Sequence, residues 1–179
     1  VAPLATTPSQ TVGPFFEFAL LHEGWSADAV APQTPGAVVL AGRVLDGDGQ
    51  PVPDAMLEIW QAEPDGAIGG GRGLFARVGT DADGAFAFTT VKPGSAPGPD
   101  GRPQAPHIAM SVFARGVLHR LATRVYFPDE EQANATDPVL SAIGDVEARA
   151  ALVARPEGAA RLGFDVRLQG DGETPFFDV

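Results

Sequence analysis

The chain has 179 residues, no cysteine and a formal net charge of −11. Its length suits one domain that buries roughly 70% of its unfolded surface, so folding needs neither disulfides nor a structural metal, and thiolate ligands and cysteine nucleophiles are excluded. The acidic balance argues against nucleic acid and anionic membrane surfaces as partners, since both call for a basic face.

No apolar run approaches the ~20 residues that span a bilayer. The opening VAPLATTPSQ lacks the basic and apolar regions of an intact signal peptide. The lack of cysteine fits a reducing cytoplasm, and a cytoplasmic location is expected.

Residues 1–36 have little periodicity and read as an N-terminal arm. Phe15, Phe16, Phe18, Leu20, Leu21 and Trp25 give it more apolar surface than a solvated tail carries, so it is expected to pack on its own domain or on a partner. From Ala37 the rhythm becomes β, and residues 37–179 are expected to form a single domain. AVVLAGRVLD, AMLEIWQAE, LFARVGT and AFAFTTV read as four strands separated by turns, the last with Phe86 and Phe88 on one face. KPGSAPGPDGRPQAP reads as a long Pro/Gly loop. HIAMSVFAR and LHRLATRVYF form a hairpin-like pair about Gly116. Asp137 followed by Pro138, and Asp145, read as N-caps of a helical segment near residues 137–154. RLGFDVRLQG then returns to strand. With 22 glycines and 17 prolines between short apolar runs, and strands that follow one another without crossover helices, the fold class is mainly β. The architecture expected is an antiparallel β-sandwich with an N-terminal arm and a short helical insertion.

Spacing supplies no metal site. Iron or zinc needs three or four ligands; the histidines are His22, His107 and His119, and no carboxylate sits in a His-x-x-x-His or Asp-x-Asp frame. His119, on the two-residue period of Leu121, Thr123, Val125 and Phe127, reads as packed or hydrogen-bonded at a sheet surface. GAIGGGRG, residues 66–73, lacks the Lys-Ser/Thr ending and following helix of a phosphate loop, and no serine lies in a nucleophile elbow. In PHIAMSVFARG, Ile108, Met110, Val112 and Ala114 alternate onto one side, the core side. His107, Ala109, Ser111, Phe113 and Arg115 share the other, which is either a solvent face or the wall of a pocket or subunit contact. There Arg115 offers a planar guanidinium to a carboxylate or an aromatic ring.

TPSQTVGPFF, AMLEIWQAEPDG, TDADGAFAFTTVKPG, APHIAMSVFARG, RLATRVYF, EEQANA and GFDVRLQGDGETPFFDV follow in this order. With them the chain resembles, from about Thr7 to Val179, the α subunits of heteromeric intradiol ring-cleavage dioxygenases that act on protocatechuate. TDADGAFAFTTVKPG is shared more widely, by prealbumin-like sandwiches. The resemblance implies a β-sandwich with a prealbumin-like core and pairing with a homologous β subunit in a larger assembly. It implies a non-haem Fe(III) held by two tyrosines and two histidines of that β chain. It also implies insertion of both atoms of O2 between the hydroxyl-bearing carbons of protocatechuate, giving 3-carboxy-cis,cis-muconate.

This chain departs from the ligand-bearing pattern. It has one tyrosine, Tyr126. His107-Ile108-Ala109 stands where catalytic chains carry His-x-His, and neither KPGSAPGPDG nor GAIGGGRGL supplies a tyrosine. The resemblance therefore implies no catalytic residue and no metal ligand here, with iron bound by the partner. By motif match, Thr11, Gly13 and Pro14 of SQTVGP and Arg115 of FARG are expected to line the substrate pocket at the α/β contact. The residues also leave open a different class, a prealbumin-like binding or adhesion module without enzymatic role.

Overall fold

The computed structural model describes residues 19–21, 26–98 and 100–178. Thr11, Gly13 and Pro14, together with His22, Trp25 and the phenylalanines of the arm, lie outside the described residues. In chain order the strands are β1 (Ala37–Leu45), β2 (Met56–Gln61), β3 (Leu74–Gly79), β4 (Ala85–Val91), β5 (Ala96–Pro97), β6 (Pro103–Gln104), β7 (His107–Phe113) and β8 (Leu121–Tyr126). Short helices α1 (Glu131–Thr136), α2 (Pro138–Ala142) and α3 (Val146–Ala151) follow, then β9 (Arg155–Pro156), β10 (Arg161–Gly163) and β11 (Val166–Arg167).

One sheet is antiparallel throughout, in the order β3-β2-β7-β8. The other is built on β1, which runs antiparallel to β4 but parallel to β10 and β11. The sandwich is therefore mixed, which corrects the expectation of an antiparallel one. The helical segment carries the chain from β8 to β9, and β10 and β11 then run along β1. Close packing at that junction is visible at Gly42, where a Cβ would run into the carbonyl of Phe164. The five-residue link before β4 closes on Gly84, whose φ of +69° suits glycine, and Asp81 Oδ1 accepts from the amides of Asp83 and Ala85.

The core lies between the sheets. Leu40, Val44, Phe86 and Phe88 meet Leu57, Ile59, Ile108, Met110, Val112 and Val125, each large side chain contributing about 1.5–3 kcal/mol by leaving water. The alternation in β7 and the shared face of Phe86 and Phe88 are as the two-residue period requires. One polar link crosses this core. The Gln61 amide donates to Val91 O (2.7 Å) and accepts from Thr90 Oγ1 (2.8 Å), joining β2 to β4.

Residues 26–29 run along the open edges of both sheets. Ser26 O accepts from Arg77 N, and Ala27 O and Ala29 N bond to Thr89. The Pro/Gly loop contains the two-residue ladder β5–β6. His119 lies outside β8, in the exposed link before Leu121; the strand begins two residues later than the two-residue pattern suggests. A smaller cluster of Ala105, Tyr126, Leu140 and Leu152 seats the helices against the end of the four-stranded sheet.

Candidate functional site

With the core side of the four-stranded sheet filled, its outer face presents the alternate residues. Across β3-β2-β7-β8, Phe75, Trp60, Ala109 and Arg124 form one row, and Arg77, Glu58, Ser111 and Ala122 form the next. His107 opposes Tyr126 one row further on. Phe177 joins the far edge, its amide donating to Ala122 O at 2.8 Å. These elements enclose an open groove of about 600 Å3, lined by Trp60, Phe75, Ala109, Arg120, Arg124 and Phe177 among others.

Next to this groove lies a buried polar cluster. Asp137, 1% exposed, caps α2 by accepting from Val139 N and Leu140 N. The same carboxylate accepts from Ala105 N (2.8 Å) and from Tyr126 Oη (3.1 Å), so one group ties the start of β7, the end of β8 and a helix together. Burial pushes the Tyr126 phenol up to about 12, against the pull of the Arg124 guanidinium. His107 Nδ1 bonds to Ala105 O (2.8 Å), and its ring lies 5.6 Å from that of Tyr126. Burial, helped by the nearby Arg124 charge, holds its imidazole below its ordinary value.

An iron of the kind implied above does not fit these donors. Ala109 offers no ligand two residues along from His107. Tyr126 is a buried phenol hydrogen-bonded to Asp137, which opposes the tyrosinate an Fe(III) site needs. Among the described residues, no three His, Asp or Glu side chains converge on a metal position.

Arg115 lies in the turn after β7. Its side chain is 81% exposed and pairs with Asp54 through Nε at 2.9 Å. It is not a groove residue. The sequence reading missed Trp60, Arg120, Arg124 and Phe177 as a group. Part of the signal was present: in AMLEIWQ, Leu57 and Ile59 point inward, which leaves Glu58 and Trp60 outward.

A dioxygenase family model matches residues 14–170, and the chain belongs to that family, the intradiol ring-cleavage dioxygenases. Within it, the chain is 44% identical to the protocatechuate 3,4-dioxygenase alpha chain of Burkholderia cepacia, over 98% of each chain. It is 35% identical to the beta chain of that enzyme from the same organism, over 77% of this chain and 66% of the other. Among solved structures, it matches the dioxygenase domain of a dioxygenase–carbohydrate-binding fusion from Streptomyces sp. SirexAA-E. That match has a TM-score of 0.65 and 29% identity, and covers 93% of this chain and 99% of that one.

Proposed function

We propose that the chain is the non-catalytic α subunit of a heteromeric protocatechuate 3,4-dioxygenase, paired with a homologous β subunit that binds the Fe(III). The pair converts protocatechuate and O2 to 3-carboxy-cis,cis-muconate. The observation that carries this reading is an intact family fold with an incomplete donor set: His107 beside Ala109, and a Tyr126 phenol committed to Asp137. End-to-end similarity to an alpha chain supports the same conclusion and leaves little room for a prealbumin-like binding or adhesion module.

In this reading the chain shapes the partner's substrate pocket and supports assembly. Thr11, Gly13 and Pro14 of the N-terminal arm and Arg115 line that pocket. The exposure of Arg115 supports its role. Among the described residues its carboxylate partner is Asp54, one-third exposed, and an ion pair this open to solvent is worth at most ~1 kcal/mol, so the guanidinium is readily released to an anionic substrate. No described helix is long and apolar enough to cross a membrane, and a cytoplasmic location goes with the reading.

The test is co-expression with the β-chain homologue. The two chains are expected to co-purify with iron and ring-cleavage activity. Ring cleavage by the α chain alone, or failure of the two chains to associate, would overturn the reading.

A further inference from the structure

The outer face of the sheet built on β1 gathers positive charge in an acidic chain. Ala87, Ala41, Gly163 and Arg155 form one row across β4, β1, β10 and β9. Arg161 stands in the row on one side, with Val39 and Thr89, and Arg43 in the row on the other, with Ala85. Side chains alternate across a sheet, and Leu40, Val44, Phe86 and Phe88 fill the core side, so the three arginines share the open side. All three are exposed and line one groove of about 410 Å3. Three of the twelve lysine and arginine residues thus meet in one place, in a chain whose net charge is −11.

Two carboxylates border the groove, and both are spent on these arginines. Asp165 Oδ2 accepts from Arg155 Nη2 (2.8 Å) and its Oδ1 from the Arg43 amide (3.0 Å). Glu157 Oε2 accepts from Arg161 Nε (3.2 Å). Gly163 makes room for that contact, since a Cβ there would run into the Glu157 carboxylate. Each pair orients a guanidinium while using one of its five N–H donors. The Arg43 guanidinium forms no ion pair among the described residues. Three cations against two carboxylates leave a positive balance. The floor is mostly small, Ala41, Gly42 and Ala85, so an ion can settle against the sheet among the guanidinium groups.

We propose that this groove binds a phosphoryl group, as inorganic phosphate or as a phosphate monoester, with Arg43, Arg155 and Arg161 supplying the donors. Guanidinium forks match phosphate oxygens in pairs of hydrogen bonds. Donors arriving from three strands suit a tetrahedral dianion, whose oxygens point several ways, whereas a single fork satisfies a flat carboxylate. No bond is made or broken in the site. It lies on the opposite sheet from the groove of Trp60 and Phe75 and needs neither iron nor a partner chain, so it goes beyond the subunit reading and does not depend on it.

The full-length chain is titrated with inorganic phosphate, glycerol 3-phosphate and acetate at fixed pH and ionic strength. Binding is followed by calorimetry and by the backbone amide resonances of Arg43, Ala85 and Arg161. Saturable phosphate binding with a Kd on the order of 1 mM is expected, with shifts centred on those amides and acetate at least tenfold weaker. Glycerol 3-phosphate tells the two sources apart: binding at least as tight as the free ion assigns the site to an ester, and weaker binding assigns it to phosphate itself. Arg43→Gln and Arg161→Gln are each expected to weaken phosphate about tenfold; both side chains are exposed, so neither change disturbs the core. Absence of saturable binding up to ~30 mM, acetate binding as tightly, amide shifts confined to residues outside the groove, or affinity unchanged in the arginine variants would overturn the proposal. None of these readouts involves iron or a partner chain, so their failure leaves the subunit reading to its own test.

Discussion

The two ends of β7 are built to opposite plans. At the first, His107 is half-buried, its Nδ1 bonded to Ala105 O, beside a fully buried Tyr126 and the carboxylate of Asp137. At the other, Arg115 is exposed on a turn and, among the described residues, pairs with the half-buried Asp54. One end has its polar groups committed to the fold, while the other keeps a charge within reach of another molecule. On the reading proposed above, the contrast separates what this chain uses for stability from what it would offer to a partner.

The contrast sharpens most at Asp137. Asp137→Ala removes the acceptor for two helix amides, the Ala105 amide and the Tyr126 hydroxyl, all in a buried setting. Its cost is expected to be ~3 kcal/mol or more, read from urea unfolding; a loss below ~1 kcal/mol would break the account of that end. Tyr126→Phe deletes one bond of the cluster and is expected to cost about 1–2 kcal/mol.

Protons test the same end. The Tyr126 value is raised from 10 to about 12. Above pH 10 the unfolded chain therefore gives up its proton while the folded one keeps it, and this contribution to stability falls as pH rises from 10 toward 12. The His107 value is lowered from 6.5. The unfolded chain then binds the extra proton first, so this contribution is complete above 6.5 and is lost as pH falls below it. The stability difference between wild type and Tyr126→Phe should hold steady below pH 10 and shrink from there toward pH 12, and that between wild type and His107→Gln should hold steady above pH 6.5 and shrink below it; unchanged pH dependence in the variants would contradict the assignments.

The smallest stability effect belongs to the exposed end. Arg115→Ala is expected to change unfolding free energy by less than ~0.5 kcal/mol while raising KM or lowering kcat/KM of the assembled enzyme. Unchanged kinetics would reduce Arg115 to a surface charge.

Much of this was legible in the chain. Ile108, Met110 and Val112 alternate as a half-buried strand must, and Asp137 and Asp145 signal helix starts that the structure shows as side-chain caps. Helix α1 gave no such signal, because Glu130 at its start makes no side-chain cap bond. The parallel pairing of β10 and β11 with β1 was illegible because it depends on where the helical segment returns the chain, and no local pattern encodes that. The groove was half-legible. Trp60 faces outward by period, but Arg124 belongs to a strand buried almost throughout, and Phe177 reaches the sheet only through a tertiary bridge to Ala122. The resemblance supplied the missing ligands, while the commitment of Tyr126 to Asp137 emerged only in three dimensions.

The most direct test of the central claim is the iron content and visible absorbance of the chain purified alone, after expression in iron-replete medium. The account predicts a colourless protein with no stoichiometric iron. One iron per chain, with the burgundy tyrosinate–Fe(III) band, would contradict it.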